Sequence, residues 1–259
     1  VNGVADLIPI ASDKLAWRGV LMAVGGPAAN FLSAILMLCM PVPITIFSGL
    51  FIAFSIANGV NDLFPFESRL GVSDGRRIWM LLRQPERGER WLALLHLGGE
   101  LDDGMLPEAL SADFLAKAIA VRDESTDTVM AHAIAYSVAL HQHKDSEAAQ
   151  RLETCLAYSG LATPALREAL MSDAAVFLAR KRKRADLADR WLAGIPIKAQ
   201  TQWLRYRAEA AILEAKGDVD GALGKLAEVE AAMLALPKNA RRATALLLLQ
   251  RWQSELCRC

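Results

Sequence analysis

The feature that most constrains this chain is a long run without a single ionisable side chain. From Gly19 to Asn61 there is no Asp, Glu, Lys, Arg or His, while almost all of the charge follows from Asp62 onward. A helix needs roughly 20 apolar residues to cross a hydrocarbon core of about 30 Å, and this run holds enough for two, divided by Pro41 and Pro43. A secretory signal carries an apolar region of roughly 7–15 residues before a small-residue cleavage site, so the run is too long to be one. The expectation is a first membrane helix from about Arg18 to Met40 and a second from about Pro43 to Phe64. The first carries small residues, Gly25, Gly26 and Ala34, that let a neighbouring helix approach closely. The second is bulkier, with Phe47, Phe51 and Phe54 for lipid to face.

The turn between the two is uncharged. Lys14 and Arg18 precede the pair, and Arg69, Arg76, Arg77, Arg83, Arg87 and Arg90 follow it. The positive-inside bias then places both outer ends in the cytoplasm, giving an integral, multi-pass membrane protein with a cytoplasmic C-terminal domain. The charge total, 29 basic against 29 acidic residues, exerts no overall pull toward nucleic acid. Cys39, Cys155, Cys257 and Cys259 form no CxxC pair and read as free thiols in a reducing compartment. The opening Val1-Asn2-Gly3, without an initiator Met, suggests that sequence lies upstream.

Beyond the hydrophobic run, Ala, Leu, Glu and Arg recur at helical spacing. The fold class is therefore all-α, with two transmembrane helices in a region spanning 1–84 and a cytosolic helical domain over 85–259. Helices are expected at about Glu89–Leu97, Ala112–Val121, Thr126–His143, Ser146–Tyr158, Pro164–Lys181, Leu187–Leu192, Gln202–Ala215, Val219–Leu234 and Ala240–Leu256. Breaks fall at Gly160, Pro164, Pro196, Gly217 and Pro237. The pairs Ala148/Leu152, Ala188/Leu192 and Ala222/Leu226 recur at an interval of about 34–40 residues, that of helix-pair solenoids such as tetratricopeptide repeats. An irregular helical bundle is the alternative.

Asn30 is an amide in the middle of a membrane helix, where burial without a partner costs a few kcal/mol. By itself it reads as glue between helices. Its company is Gly26-Pro27-Ala28-Ala29-Asn30, then Asn61-Asp62-Leu63-Phe64-Pro65 and Ser73-Asp74-Gly75. Together these resemble the site-2 protease family of intramembrane zinc metallopeptidases, whose membrane core carries HExxH, GxxxN and NxxPxxxxDG on successive helices. Gly26 to Asn30 matches the second motif. The third match departs from the pattern: Asp62 stands where the family has Asn, with Asn61 beside it, and Pro65 to Asp74 is about twice the usual interval. The resemblance covers roughly Trp17 to Arg83.

The resemblance implies a zinc cofactor, peptide hydrolysis in or near membrane segments and a membrane-protein substrate. Asp74 becomes the third metal ligand, with Gly26, Pro27, Asn30, Asn61, Pro65 and Gly75 as motif or cleft positions. Such a site uses two His on one helix face, a carboxylate from elsewhere and an open position for water. HExxH is absent from these 259 residues, so the catalytic residues are unknown and this chain alone is expected to be inactive. The four histidines, His96, His132, His141 and His143, all fall in the helical region, and His141 and His143 point to different helix faces.

Two readings of Asp74 stay open, a metal ligand and an N-cap for the run Arg76–Leu82. Arg180–Arg184 reads as a solvated helix end or as a contact for anionic lipid or an acidic protein partner. It lacks the interleaved aromatics of a nucleic-acid surface. For the whole chain, a membrane-anchored helical scaffold without catalysis, or a degenerate peptidase, is the alternative to a peptidase.

Overall fold

The structure, a computed structural model, describes residues 15–41, 43, 45–68, 71–198 and 201–258. Val1-Asn2-Gly3, Lys14, Arg69 and Cys259 lie outside the described residues. Among the described residues the chain is all-α, with twelve helices, two short 3-10 turns and one pairing of two-residue strands. It divides into two compact units, 1–96 and 97–259. The division falls inside helix α4 (Pro85–Asp102), which runs unbroken through Gly88 and the Gly98-Gly99 pair.

In the first unit, α1 (Leu15–Cys39) and α2 (Ile46–Leu63) form an antiparallel pair. On α1 the buried positions Ala23, Pro27 and Ala34 fall on one face at spacings of four and seven. On α2 the buried set is Ile52, Ser55 and Gly59. A Cβ at Gly59 would sit 3.0 Å from the Phe31 ring, so the lack of a side chain sets how closely the helices approach. After the Pro41 and Pro43 break, Thr45 starts α2 through a capping box with Ser48.

Both helices are long and apolar enough to cross a membrane, over Trp17–Cys39 and Ile46–Leu63. Only 22% and 17% of those spans are buried, whereas the core helix of a water-soluble domain would be mostly covered. Ile46 and Phe47 are 81% and 84% exposed.

α3 (Asp74–Arg83) runs antiparallel along the first half of α1. Asp74 Oδ2 stands 3.6 Å from where a Cβ on Gly26 would be, and Leu81 stands 3.1 Å from the same point on Gly19. Trp91 and Leu92 of α4 close on Gly19 too, and with Met80 they form the small core of this unit. Because α2 ends against Asn30, the twelve residues from Arg18 to Asn30 extend roughly 18 Å of α1 beyond it, at 1.5 Å per residue. α3 fills the notch so created.

The second unit stacks α5 (Ala112–Ala120), α6 (Thr126–His141), α7 (Asp145–Ala157), α8 (Pro164–Arg182), α9 (Ala185–Gly194), α10 (Gln202–Ala215), α11 (Val219–Leu234) and α12 (Ala240–Leu256). The pairs α6–α7, α8–α9 and α10–α11 share one turn. Each has a left-handed residue, His143 (φ 58°), Lys183 (φ 53°) or Gly217 (φ 83°). In two of them the next N–H reaches back five residues, Lys144 to Ala139 and Asp218 to Leu213, both at 2.9 Å, while Arg184 reaches Leu178 at 3.0 Å. Five residues past each left-handed position come Ala148, Ala188 and Ala222, all fully buried. Four further on, Leu152 and Leu226 are buried and Leu192 is partly buried against the core. The alanines let the paired helices close, and the leucines fill the groove beside them.

α12 returns to the start of this unit. Thr244 Oγ1 donates to the Gly104 carbonyl at 2.8 Å, Arg241 pairs with Asp102 at 2.5 Å, and Arg251 pairs with Glu108 at 2.8 Å. The basic run at the end of α8 is drawn into the unit. Arg180 bonds Glu214 (2.9 Å) and Glu255 (2.7 Å) and lies 4.3 Å over the Trp252 ring. Lys181 pairs with Asp145 and Arg184 with Asp186, while Arg182 lies over Phe177.

Candidate functional site

Three helices bring the motif residues together in the first unit. From α1 come Gly26, Pro27 and Asn30. Pro27 is fully buried, and the Asn30 amide donates to Asp62 Oδ2 of α2 at 3.5 Å. The polar residue of α2 that faces the cluster is thus Asp62. Asn61 lies on the exposed side of the helix, and Pro65 is exposed just after it. The three-residue interval to Pro65 marks Asp62 in the sequence, but not which of Asn61 and Asp62 turns toward Asn30.

The approach of α3 to α2 explains the glycine of the Asp-Gly pair. A Cβ on Gly75 would lie 1.9 Å from the Leu63 carbonyl oxygen, closer than any side chain tolerates. Gly75 therefore sets the contact that seats the start of α3 against the end of α2.

Of the two readings left open for Asp74, the N-cap belongs instead to Ser73. Its Oγ accepts from the Arg76 N–H at 3.2 Å and the Phe66 N–H at 3.0 Å, and donates to the Phe64 carbonyl at 2.7 Å. Ser73 thus ties off both the helix start and the connection from α2. That connection also holds the antiparallel pairing of Glu67 with Val72 and Ser68 with Gly71.

Relieved of capping, Asp74 occupies the first turn of α3, where the helix dipole favours a carboxylate. Its Oδ1 accepts from Arg77 at 3.0 Å, and its Oδ2 faces Gly26. Arg77 lies 5.6 Å over the Trp91 ring. The sequence did not single Arg77 out, although its place three residues beyond Asp74 is that of a helical ion-pair partner.

The arrangement offers oxygen donors from Asp62, Asp74 and Asn30. Zinc sites draw on imidazole or thiolate as well, and among the described residues no group of three His, Cys, Asp or Glu could hold a metal. His96 lies in α4, His132 and His141 in α6, and His143 in the turn after it. These residues by themselves do not fit zinc; they provide at most a carboxylate arm.

The thiols suggest no other chemistry. Cys39, Cys155 and Cys257 are free, and burial pushes the Cys155 thiol up to about 12. The second unit has a pocket of about 240 Å³, lined in part by His141, Phe177, Arg180, Lys181 and Trp252. No family model, curated protein or solved structure matches this chain.

Proposed function

We propose that this chain is the C-terminal part of an intramembrane zinc metallopeptidase of site-2-protease type, with Asp74 supplying one metal ligand. Histidines of an HExxH helix outside these 259 residues would supply the rest. The observation that carries the reading is that Asp74 of α3 faces Gly26 of α1, about one turn from Asn30, which bonds Asp62 of α2, beside a stretch from Gly19 to Asn61 that has no ionisable side chain. Gly26, which Asp74 faces, is eight residues beyond Arg18, roughly 12 Å along α1. A bilayer crossed by α1 with Arg18 at its edge would therefore have Asp74 below its surface, where polar groups are costly and are retained for function. Asn30 and Asp62 fix the polar floor, and Gly75 sets the seating of α3.

On this reading both outer ends of the α1–α2 hairpin are cytoplasmic, the lipid bilayer surrounds α1 and α2, and the substrate is a membrane protein. The second unit is a tetratricopeptide-like array of helix pairs that receives a protein partner, for which the pocket beside Arg180 and Trp252 is a candidate seat. Nucleic acid is not a partner.

The test is to read the DNA encoding the residues before Val1, then to purify the complete protein with Asp74 or with Asp74→Asn. An upstream apolar segment bearing HExxH is expected, together with a sharp loss of both bound zinc and cleavage of a transmembrane reporter in the variant. A start codon with no such motif, or equal zinc and cleavage in the two proteins, removes the proposal.

One observation favours a non-catalytic, membrane-anchored helical scaffold instead. The polar groups satisfy each other in place, Asn30 with Asp62 and Asp74 with Arg77, as they would if they only held helices together.

A further inference from the structure

α3 has an outer face that its own unit leaves uncovered. Met80 is buried and Leu81 packs against Gly19 of α1, whereas Trp79 and Leu82, three apart on the opposite side, are 47% and 64% exposed. Phe64 and Phe66, in the connection leading to α3, are exposed as well. At the same level α1 exposes Trp17 and Leu21. The charge accompanying this face is basic: Arg83 lies 5.7 Å over the Trp79 ring, and Arg18 is exposed next to Trp17.

We infer that the outer face of α3 is inserted into the boundary between headgroups and acyl chains on the basic side of the membrane, making α3 a shallow membrane-embedded helix beside the two spans. The inference rests on the membrane part of the reading above, not on its metal chemistry.

Three observations select lipid as the occupant. The patch continues the apolar surfaces of α1 and α2, which are themselves mostly exposed. α3 runs beside α1 from the level of Gly26 to that of Gly19, so its end bearing Trp79 and Leu82 lies within a few ångströms of the level of Arg18, and its whole length within roughly 12 Å of it. Trp beside Arg is the pairing suited to this depth, the indole at the headgroup level and the guanidinium reaching out to phosphate. Hydropathy alone misses such a helix, because Arg76, Arg77 and Arg83 break its apolar run.

The test places a nitroxide spin label on Trp79→Cys, on Leu82→Cys and, as a reference within α2, on Phe54→Cys. Each is built in the full chain with Cys39, Cys257 and Cys259 changed to Ser and the buried Cys155 retained. The proteins are reconstituted in vesicles of phosphatidylcholine and phosphatidylglycerol, and collisions with oxygen and with a water-soluble nickel chelate are measured. The expected result is oxygen-rich, chelate-poor collision at 79 and 82, shallower than at 54. Ready chelate access at 79 and 82 means water, and exclusion of both reagents means cover by protein. Either outcome overturns the inference while an oxygen-rich signal at 54 leaves the spans standing. A chelate-rich signal at 54 sinks the membrane reading and this inference with it.

Discussion

The two units use the same secondary structure to opposite ends. In α8, α10 and α11 small side chains, among them Ala175, Ala179, Ala208, Ala211 and Ala222, are buried beside larger ones such as Phe177, Ile212 and Leu226, and the helix surfaces toward solvent carry charge. In α1 and α2 the buried positions are again small, such as Ala23, Ala34 and Gly59, but the outward positions are Phe, Leu and Ile. Close approach between helices thus needs small residues in either setting. What separates the units is the character of the remaining surface, apolar in the first and charged in the second, and the charge distribution along the sequence already divides the chain this way.

The largest effect expected from this contrast is on solubility. A fragment from Pro85 to Cys259, which keeps α4 whole, should be soluble without detergent and strongly helical by circular dichroism, whereas the full chain should partition into detergent or lipid. A fragment that aggregates or shows mainly disorder would dissolve the contrast. Reporter fusions sharpen it by side: signals at Arg90 should be cytoplasmic and those at Pro41 should not, and the reverse pattern would invert the orientation.

Within the second unit, Leu226→Ala removes a fully buried side chain between paired helices and should cost about 3 kcal/mol in denaturant unfolding of the fragment. In the first unit, Gly75→Ala forces a Cβ onto the Leu63 carbonyl. A cost of roughly 2 kcal/mol for such overpacking should lower the thermal midpoint of the full chain in detergent, while Gly25→Ala, with open space around it, should change little.

The smallest effect concerns acid stability. The Lys198 ammonium, 2.6 Å from Glu168, holds that carboxyl below its ordinary value of 4.5, with burial opposing. The contribution is therefore complete above pH 4.5 and is lost as pH falls through the lower, folded-state value. Lys198 is half exposed, so the contribution should be about 1 kcal/mol or less. Glu168→Gln should flatten that part of the acid limb of the fragment's stability curve, and an unchanged limb would remove the pair from the account.

How much of this was legible in advance varied by element. The bounds of α10, α11 and α12 match their expected ranges, because Gly217 and Pro237 separate them. α4 extends beyond the expected Glu89–Leu97 at both ends, through Gly88 and through Gly98-Gly99. Gly88 stays helical because the helix packs there against Leu81, where a Cβ would stand 3.1 Å from a methyl group, and Pro85 opens the helix without needing an N–H. In the candidate site the motif positions Gly26, Asn30, Asp74 and Gly75 could be read from spacing. That Asp62 rather than Asn61 faces Asn30, that Ser73 rather than Asp74 is the cap, and that Arg77 holds Asp74 are consequences of helix rotation and packing, which spacing alone does not fix.

The unequal length of the first two helices has a consequence for the membrane itself. The α1 span of 23 residues and the α2 span of 18 correspond to roughly 34 Å and 27 Å. A bilayer matched to one is mismatched to the other, and lipid adjusts to a short span by thinning beside it. On the proposed membrane reading, the leaflet beside the C-terminal end of α2 would be dimpled inward, lowering headgroups and water toward the level of Asp62. The protein would then deliver water to its polar floor by deforming its solvent, with no pore through the helices.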